Sequence, residues 1–466
     1  MERKHEVKDR RLWMRSKLAL FLLLITVQVA YAFDSVPMAE YHQRRVKLAA
    51  ELHGGSAAIF AAHEPLAEYQ EFRQDEDFYY LTGSNEPGGA LLVIGDGPAT
   101  TTRLGTVVPA HKYREILFLP MRNPVREKYT GAKTDAATPG ARELLGVDEV
   151  MPLAAMPGFF AEFLGQDIRR AKEVWTQQDM GVASAALGFT ATVLGTDDPP
   201  PTHDVRAVTE QLRMVKSPAE IALIQKATDA SIAGQLAGMR AIKPGVRERA
   251  VAATEVATML TEGCERASYP PIVGSGINST TLHYSTNSKT MEEGDVVVID
   301  AAGEYSMYAS DLTRTMPVDG HFTARQKEIY NIVLGAQQAA RDAFVAGKST
   351  MGSIDHRADP QVTLDKVAYD YINSHGKDIH GQPLGKYFLH TLGHSVGIDV
   401  HDPYDYDKPF VIGSVFTIEP GLYIPEEKIG VRIEDTFYVD ASGKLIDFAE
   451  KLPHTPEEVE AAMQAK

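Results

Sequence analysis

Three regimes of apolar spacing follow one another along the chain. The first is an apolar run from Leu18 to about Ala30, preceded by a basic stretch ending at Lys17 and followed by Ala30-Tyr31-Ala32. About thirteen apolar residues fall short of the ~20 that a bilayer-spanning helix needs. The order basic, apolar, small-x-small is that of a secretory signal. Residues 1–32 therefore read as an export signal removed before Phe33, which predicts a periplasmic or secreted protein. An uncleaved membrane anchor over residues 18–30 is the alternative.

The second regime, 33–206, mixes helical and strand spacing. Tyr41, Val46, Leu48 and Leu52 recur at helical intervals, predicting a helix over 40–52. Ala57–Phe60, Ala90–Ile94, Val107–Val108 and Ile116–Leu119 are short apolar runs of the kind buried strands show. Asp197-Asp198-Pro199-Pro200-Pro201 is a breaker cluster and predicts a linker, with the domain boundary just after it.

The third regime, 207–455, opens on Ser217-Pro218-Ala219-Glu220, a Ser cap with Pro at the first helical position and Glu three residues on. Ile221, Ile224, Thr228, Ile232 and Leu236 continue at helical spacing until Lys243-Pro244-Gly245. A second helix is predicted up to Glu262-Gly263. Strands are predicted at Val296–Asp300 and Tyr308–Thr315, and helices at 324–345 and 361–374. Further strands are predicted at Val415–Glu419, Val431–Val439 and Leu445–Phe448. The order helices, strands, helices, strands suggests two similar α+β halves.

Length and composition narrow the classes. The 466 residues suit two or three domains, and 44% apolar with 24% charged residues is ordinary for a globular protein. The net charge is −16. Seven basic and three acidic residues lie in 1–17, leaving 40 basic and 60 acidic residues, or −20, for the remainder. A body so acidic repels phosphate backbones, so no nucleic-acid partner is expected. The single cysteine, Cys264, excludes an internal disulfide framework and a Cys-based zinc site, and reads as a small buried residue.

Four segments of the third regime hold acidic residues or histidines among strand-like runs. Asp300 ends VVVID, with Asp311 eleven residues on. FLHTLGHSVGIDVHD holds His390, His394 and His401; SVFTIEPGLYI holds Glu419; GVRIEDTFYV holds Arg432 and Glu434, opposite the apolar side by strand alternation. Singly, each has a plain reading: a turn-forming Asp, a satisfied His, a solvated Glu. Together, Asp300, Asp311, His394, Glu419 and Glu434 form an oxygen-rich set without thiolate, suited to Mn²⁺, Co²⁺ or Zn²⁺. Four carboxylates balance two divalent ions, and two ions about 3.5–4 Å apart clamp a bridging hydroxide and a polarised carbonyl.

These segments resemble those of the pita-bread metallopeptidases, the family of methionine aminopeptidase, aminopeptidase P and prolidase. Tyr69–Ile94, YQEFRQDEDFYYLTGSNEPGGALLVI, is similar to the aminopeptidase P N-terminal domain, which methionine aminopeptidase lacks. The resemblance covers roughly Tyr41 to Glu450. It implies an α+β protein: an α/β N-terminal domain, 33–206, followed by a pita-bread catalytic domain, 207–455. It also implies Asp300 as the ligand of one metal, Asp311 and Glu434 as bridging carboxylates, and His394 and Glu419 as ligands of the other. Glu419 would move the proton of the attacking water. His283, His390 and His401 would contact substrate, Arg432 would support the site, and Tyr423 would stand behind it.

The implied reaction is hydrolysis of the N-terminal Xaa-Pro bond of peptides whose second residue is proline, with two divalent ions, Mn²⁺ foremost. A homo-oligomer is expected. Prolidase, which cuts only dipeptides, shares every ligand. A non-catalytic peptide-binding module would be expected to have lost one, and none is missing.

Overall fold

The apolar runs of the second regime become the middle of a six-stranded mixed sheet. Its order is Glu149–Pro152, Arg114–Leu119, Ala90–Ile94, Ser56–Phe60, Val174–Thr176, Thr202–Asp204. The central pair is antiparallel with Ser56 opposite Ile94, and both strands are buried throughout. Burial on both faces is why they read as continuous rather than alternating apolar runs. Helix Met38–Glu51 packs here through Tyr41, Leu48 and Ala49, and buries Arg45, whose guanidinium donates to Glu115. The computed structural model describes residues 34–62, 71–97, 100–101, 107–108, 110, 112–156, 158–159, 173–178 and 201–465. Residues 1–32 and most of the breaker cluster at 197–201 lie outside them. Among the described residues no helix is long and apolar enough to cross a membrane.

After Pro201 the chain does not leave the first sheet at once. The chain first adds Thr202–Asp204 to the first sheet, parallel to Val174–Thr176, and only helix Arg206–Arg213 leads away. A three-residue edge strand without apolar alternation gave the sequence reading nothing to detect.

The predicted capping box forms: Ser217 Oγ accepts from Glu220 N, and the Glu220 carboxylate accepts from Ser217 N, opening helix Pro218–Ala241. Gly245 and Gly263 take positive φ after this helix and after Glu248–Thr261. The two helices pack tightly. A Cβ on Gly238 would lie 2.0 Å from Glu255 Oε1, so only glycine fits there.

Two halves with the same element order follow. The first has helices 218–241 and 248–261 and a sheet of Ile272–Ser275, Val296–Asp300 and Thr313–Pro317. The second has helices Ala324–Ala343 and Leu364–Ser374 and a sheet of Val415–Ile418, Asp435–Val439 and Leu445–Asp447. They meet where Thr313 bridges Glu434.

Two expected strands are interrupted at that seam. Tyr308–Thr315 is Tyr308–Ala309 and Thr313–Pro317, and Val431–Val439 is Ile429–Arg432 and Asp435–Val439. Asp311 and Glu434 lie in the gaps. Glu434 is 2% exposed, so the side opposite the apolar one is also interior. The chain ends in a helix, Pro456–Gln464, beyond the expected terminal strands. The first sheet also shares a core with the third regime, since Leu91 and Tyr41 cluster with Tyr308, Val396 and Ile398.

Candidate metal centre and active site

The four carboxylates are delivered in two matched pairs. Asp300 ends one buried strand and Glu419 follows another, Val415–Ile418. Asp311 and Glu434 each stand just before the strand that starts at Thr313 or Asp435. Backbone hydrogen bonds Thr313 N to Glu434 O, 3.3 Å, and Glu434 N to Thr313 O, 3.1 Å, hold the second pair together. Thr436 Oγ1 donates to Asp311 O at 2.8 Å.

His394 comes from an irregular loop laid against Val415–Ile418. His394 N donates to Thr417 Oγ1 at 3.1 Å, and Thr417 N returns a bond to His394 O at 2.8 Å. A Cβ on Gly393 would lie 2.1 Å from Thr417 O, so that close approach requires glycine. His394 Nε2 then lies 3.3 Å from both Asp311 Oδ2 and Glu419 Oε1. Asp311, His394 and Glu434 each offer a ligand atom, all within 4.8 Å of one another.

A cavity of about 470 Å³ opens on this cluster. His283, Asp300, Asp311, His390, His394, His401, Glu419, Arg432 and Glu434 all line it. Tyr423 stands behind, its hydroxyl 2.9 Å from both His390 Nε2 and an Arg432 nitrogen. Arg432 also donates to Asp300 Oδ2. The His394 and His401 rings lie 4.0 Å apart.

Three contributors escaped the sequence reading. Tyr269 donates to Asp311 Oδ1 at 2.6 Å, Thr313 to Glu434 Oε2 at 2.6 Å, and Thr417 to Glu419 Oε1 at 3.2 Å. They occupy acceptor positions and so fix which carboxylate oxygens face inward. Tyr and Thr in strand-like runs carry no chemical signal of their own. Glu255, on helix 248–261, was also passed over. It is fully buried, and among the described residues neither of its oxygens has a hydrogen-bond partner. Burial, reinforced by the charge of Asp300, holds it well above the usual carboxylate range.

The electrostatics ask for positive charge. Burial, then repulsion from Asp311, Glu419 and Asp300, pushes Glu434 well up. Burial lifts Glu419 to about 7 despite His394 and Arg432, and raises Asp300 despite Arg432. Asp300 Oδ1 is buried with no partner among the described residues. Burial lowers His394, but its bond to Asp311 and the charge of Glu419 outweigh this and leave it at about 9. Burial lowers His390 to about 3 and His401 to about 4, so both are neutral near pH 7. Crowded, partly unpartnered carboxylates with one imidazole fit divalent cations.

Residues 222–441 match the family model of metallopeptidase family M24, and residues 41–175 match that of the aminopeptidase P N-terminal domain. The chain is 32% identical to a Xaa-Pro aminopeptidase of Escherichia coli over 453 residues, 93% of this chain and 99% of that protein. A Haemophilus influenzae Xaa-Pro aminopeptidase is 31% identical over 445 residues, 90% of this chain and 96% of that one. Zinc-substituted E. coli aminopeptidase P in complex with product superposes with a TM-score of 0.78 at 28% identity, covering 92% of this chain and 99% of that one.

Proposed function

This chain belongs to metallopeptidase family M24, and we propose that it is a metal-dependent aminopeptidase releasing the first residue of peptides whose second residue is proline. The observation that supports this most is the convergence of four carboxylates and His394 on one cavity that three further histidines line.

In this reading Asp300, Asp311, His394, Glu419 and Glu434 hold two divalent ions, Mn²⁺ by preference. Bound there, the ions supply Lewis acidity and a water acidic enough to be a nucleophile at neutral pH. The protein's own residues do the rest. Glu419, which lines the cavity beside His394, takes the proton of the attacking water. The prolyl nitrogen of the scissile bond has no N–H and must be protonated as it leaves, and Glu419 returns the proton to it. His401, neutral at pH 7, offers an N–H donor to the charge that develops on the carbonyl oxygen, while neutral His390 spends its N–H on Thr391 O and lines the substrate pocket with its ring. Arg432 clamps Asp300 and, through Tyr423, the His390 ring.

The test is release of the first residue from X-Pro-Y and X-Pro peptides, with Mn²⁺ and after chelation. X-Pro-Y should be cleaved with a kcat/KM at least equal to that for X-Pro, and chelation should abolish both. Cleavage of dipeptides alone would make the protein a prolidase; full activity after exhaustive chelation would remove the metal from the mechanism. His401→Ala should keep its metal and lose about 10²–10³ in kcat, the usual cost of one such donor. An unchanged kcat would take His401 out of the reaction.

We also propose export, on the strength of the Ala30-Tyr31-Ala32 pattern after an apolar run. N-terminal sequencing of protein recovered from cells should start at Phe33, and a membrane-bound form starting at Met1 would favour the anchor.

A further inference from the structure

Glu248 is the first residue of helix Glu248–Thr261 and is fully buried. A buried carboxylate is costly unless its lone pairs are filled. Here five donors fill them, running from Ser275, the last residue of strand Ile272–Ser275, to Lys289. Oε1 accepts from Ser275 N at 2.7 Å, Ser275 Oγ at 2.8 Å and Asn278 Nδ2 at 3.3 Å. Oε2 accepts from the Tyr284 hydroxyl at 3.0 Å and from Lys289 N at 2.8 Å. The helix N-terminus adds a favourable field for the charge.

The stretch between those donors has little regular structure of its own. After the 3-10 turn Gly276–Thr280, residues 281–289 form no helix or strand. Yet Leu282, His283 and Ser285 reach the wall of the active-site cavity. Tyr284 points the other way, into Glu248, between His283 and Ser285. Its hydroxyl also accepts from Ser288 N at 3.2 Å, so the loop is tied back on itself at that atom.

We propose that Glu248 is a positioning residue for the peptidase reaction: its carboxylate, through Tyr284, sets His283 against the substrate. This rests on the reading of His283 as a substrate-contacting residue. No other role is needed for a carboxylate so far from water with its acceptor capacity spent on a single loop. Glutamine is a poor replacement, because its amide would turn an N–H₂ group toward either Ser275 or Lys289, both of which present N–H donors.

The test is a double-mutant cycle on the full-length, metal-loaded enzyme with an X-Pro-Y peptide. Tyr284→Phe should keep the full metal content and lower kcat/KM about tenfold, as expected for losing one hydrogen bond to a charged group. In a His283→Ala background the same change should cost less than about twofold, because the residue it positions is gone. Glu248→Gln should show a larger loss with the same coupling. If that variant fails to fold, Tyr284→Phe carries the test alone. Equal losses from Tyr284→Phe in both backgrounds, or no loss in the parent, would overturn the proposal. His283→Ala with unchanged kcat/KM would overturn it from the other side, by removing the role of His283, while the parent's activity would leave the peptidase reading standing.

Discussion

Glu434→Gln is expected to fold, to lose its metal, and to fall to the activity of the chelated enzyme. The side chain is 2% exposed, and its neighbours are Asp311, His394 and the Thr313 hydroxyl. Glutamine keeps the volume, so no cavity opens, but it removes the charge and one of the two oxygens that a bridging position needs. The change acts in opposite senses on binding and on folding. Without metal, Glu434 is held in a site where burial and three other carboxylates oppose its ionisation. Neutralising it relieves that repulsion, so the metal-free variant should melt at or above the temperature of the metal-free parent. A functional site built at the expense of stability shows this signature, and a merely structural glutamate would show the reverse. Elemental analysis and thermal melts of chelated samples decide it. Full metal content with full activity would refute the assignment of Glu434. A sharp drop in the metal-free melting temperature would mean that it is a scaffold residue.

Much of this site was legible because its chemistry is concentrated in residue types that buried strands avoid. Asp300 at the end of four β-branched residues, and Glu419 after Phe416-Thr417-Ile418, are anomalies that strand spacing exposes without any structure. The helix opening at Ser217 was legible for a similar reason, since a capping box is a local device whose partners lie within four residues. The same device stands at Thr455-Pro456-Glu457-Glu458, where Thr455 Oγ1 accepts from Glu458 N and begins the last helix. That helix was overlooked although its signal was as strong.

Other features could not be read in principle. The strand breaks at Asp311 and Glu434 are imposed by the seam between the halves, a contact spanning more than a hundred residues of sequence. Tyr269, Thr313 and Thr417 acquire meaning only once a carboxylate oxygen is within reach. Glu248 looks like an ordinary first-turn acid of a helix until the loop 275–289 folds over it.

The hub around Asp402 belongs to that second group, and its removal should have the largest effect on stability. Asp402 directly follows His401 in the loop that supplies His394. Its oxygens accept from Arg213 at 2.7 Å and Lys216 Nζ at 2.8 Å, and all three residues are at least 94% buried, with exposures of 5%, 6% and 4%. Arg213 passes on to Asp77 of the first domain at 3.0 Å, and Lys216 to Ser395 at 3.1 Å. One chain of charges thus ties the N-terminal domain to the residues on either side of the histidine loop. Burial pushes the Asp402 carboxyl up, but Arg213 and Lys216 more than reverse this and hold it below the usual carboxylate range. A depressed folded-state value gives stability that is complete above the unfolded value near 3.9 and is lost as pH falls through the folded one. Asp402→Ala removes that contribution at every pH and leaves Arg213 buried with Asp77 and Lys216 buried against the Ser395 hydroxyl. Breaking a buried pair in this way typically costs about 3–5 kcal/mol. Urea unfolding at pH 7 should register a loss of that order, and the variant should lack the acid-side decline that the parent owes to this group. The histidine loop loses its anchor at the same time, so activity should fall at temperatures where the variant is still folded. A loss below about 1 kcal/mol, the range of an exposed ion pair, would show that water reaches the hub and that the two domains are held together by their shared apolar core instead.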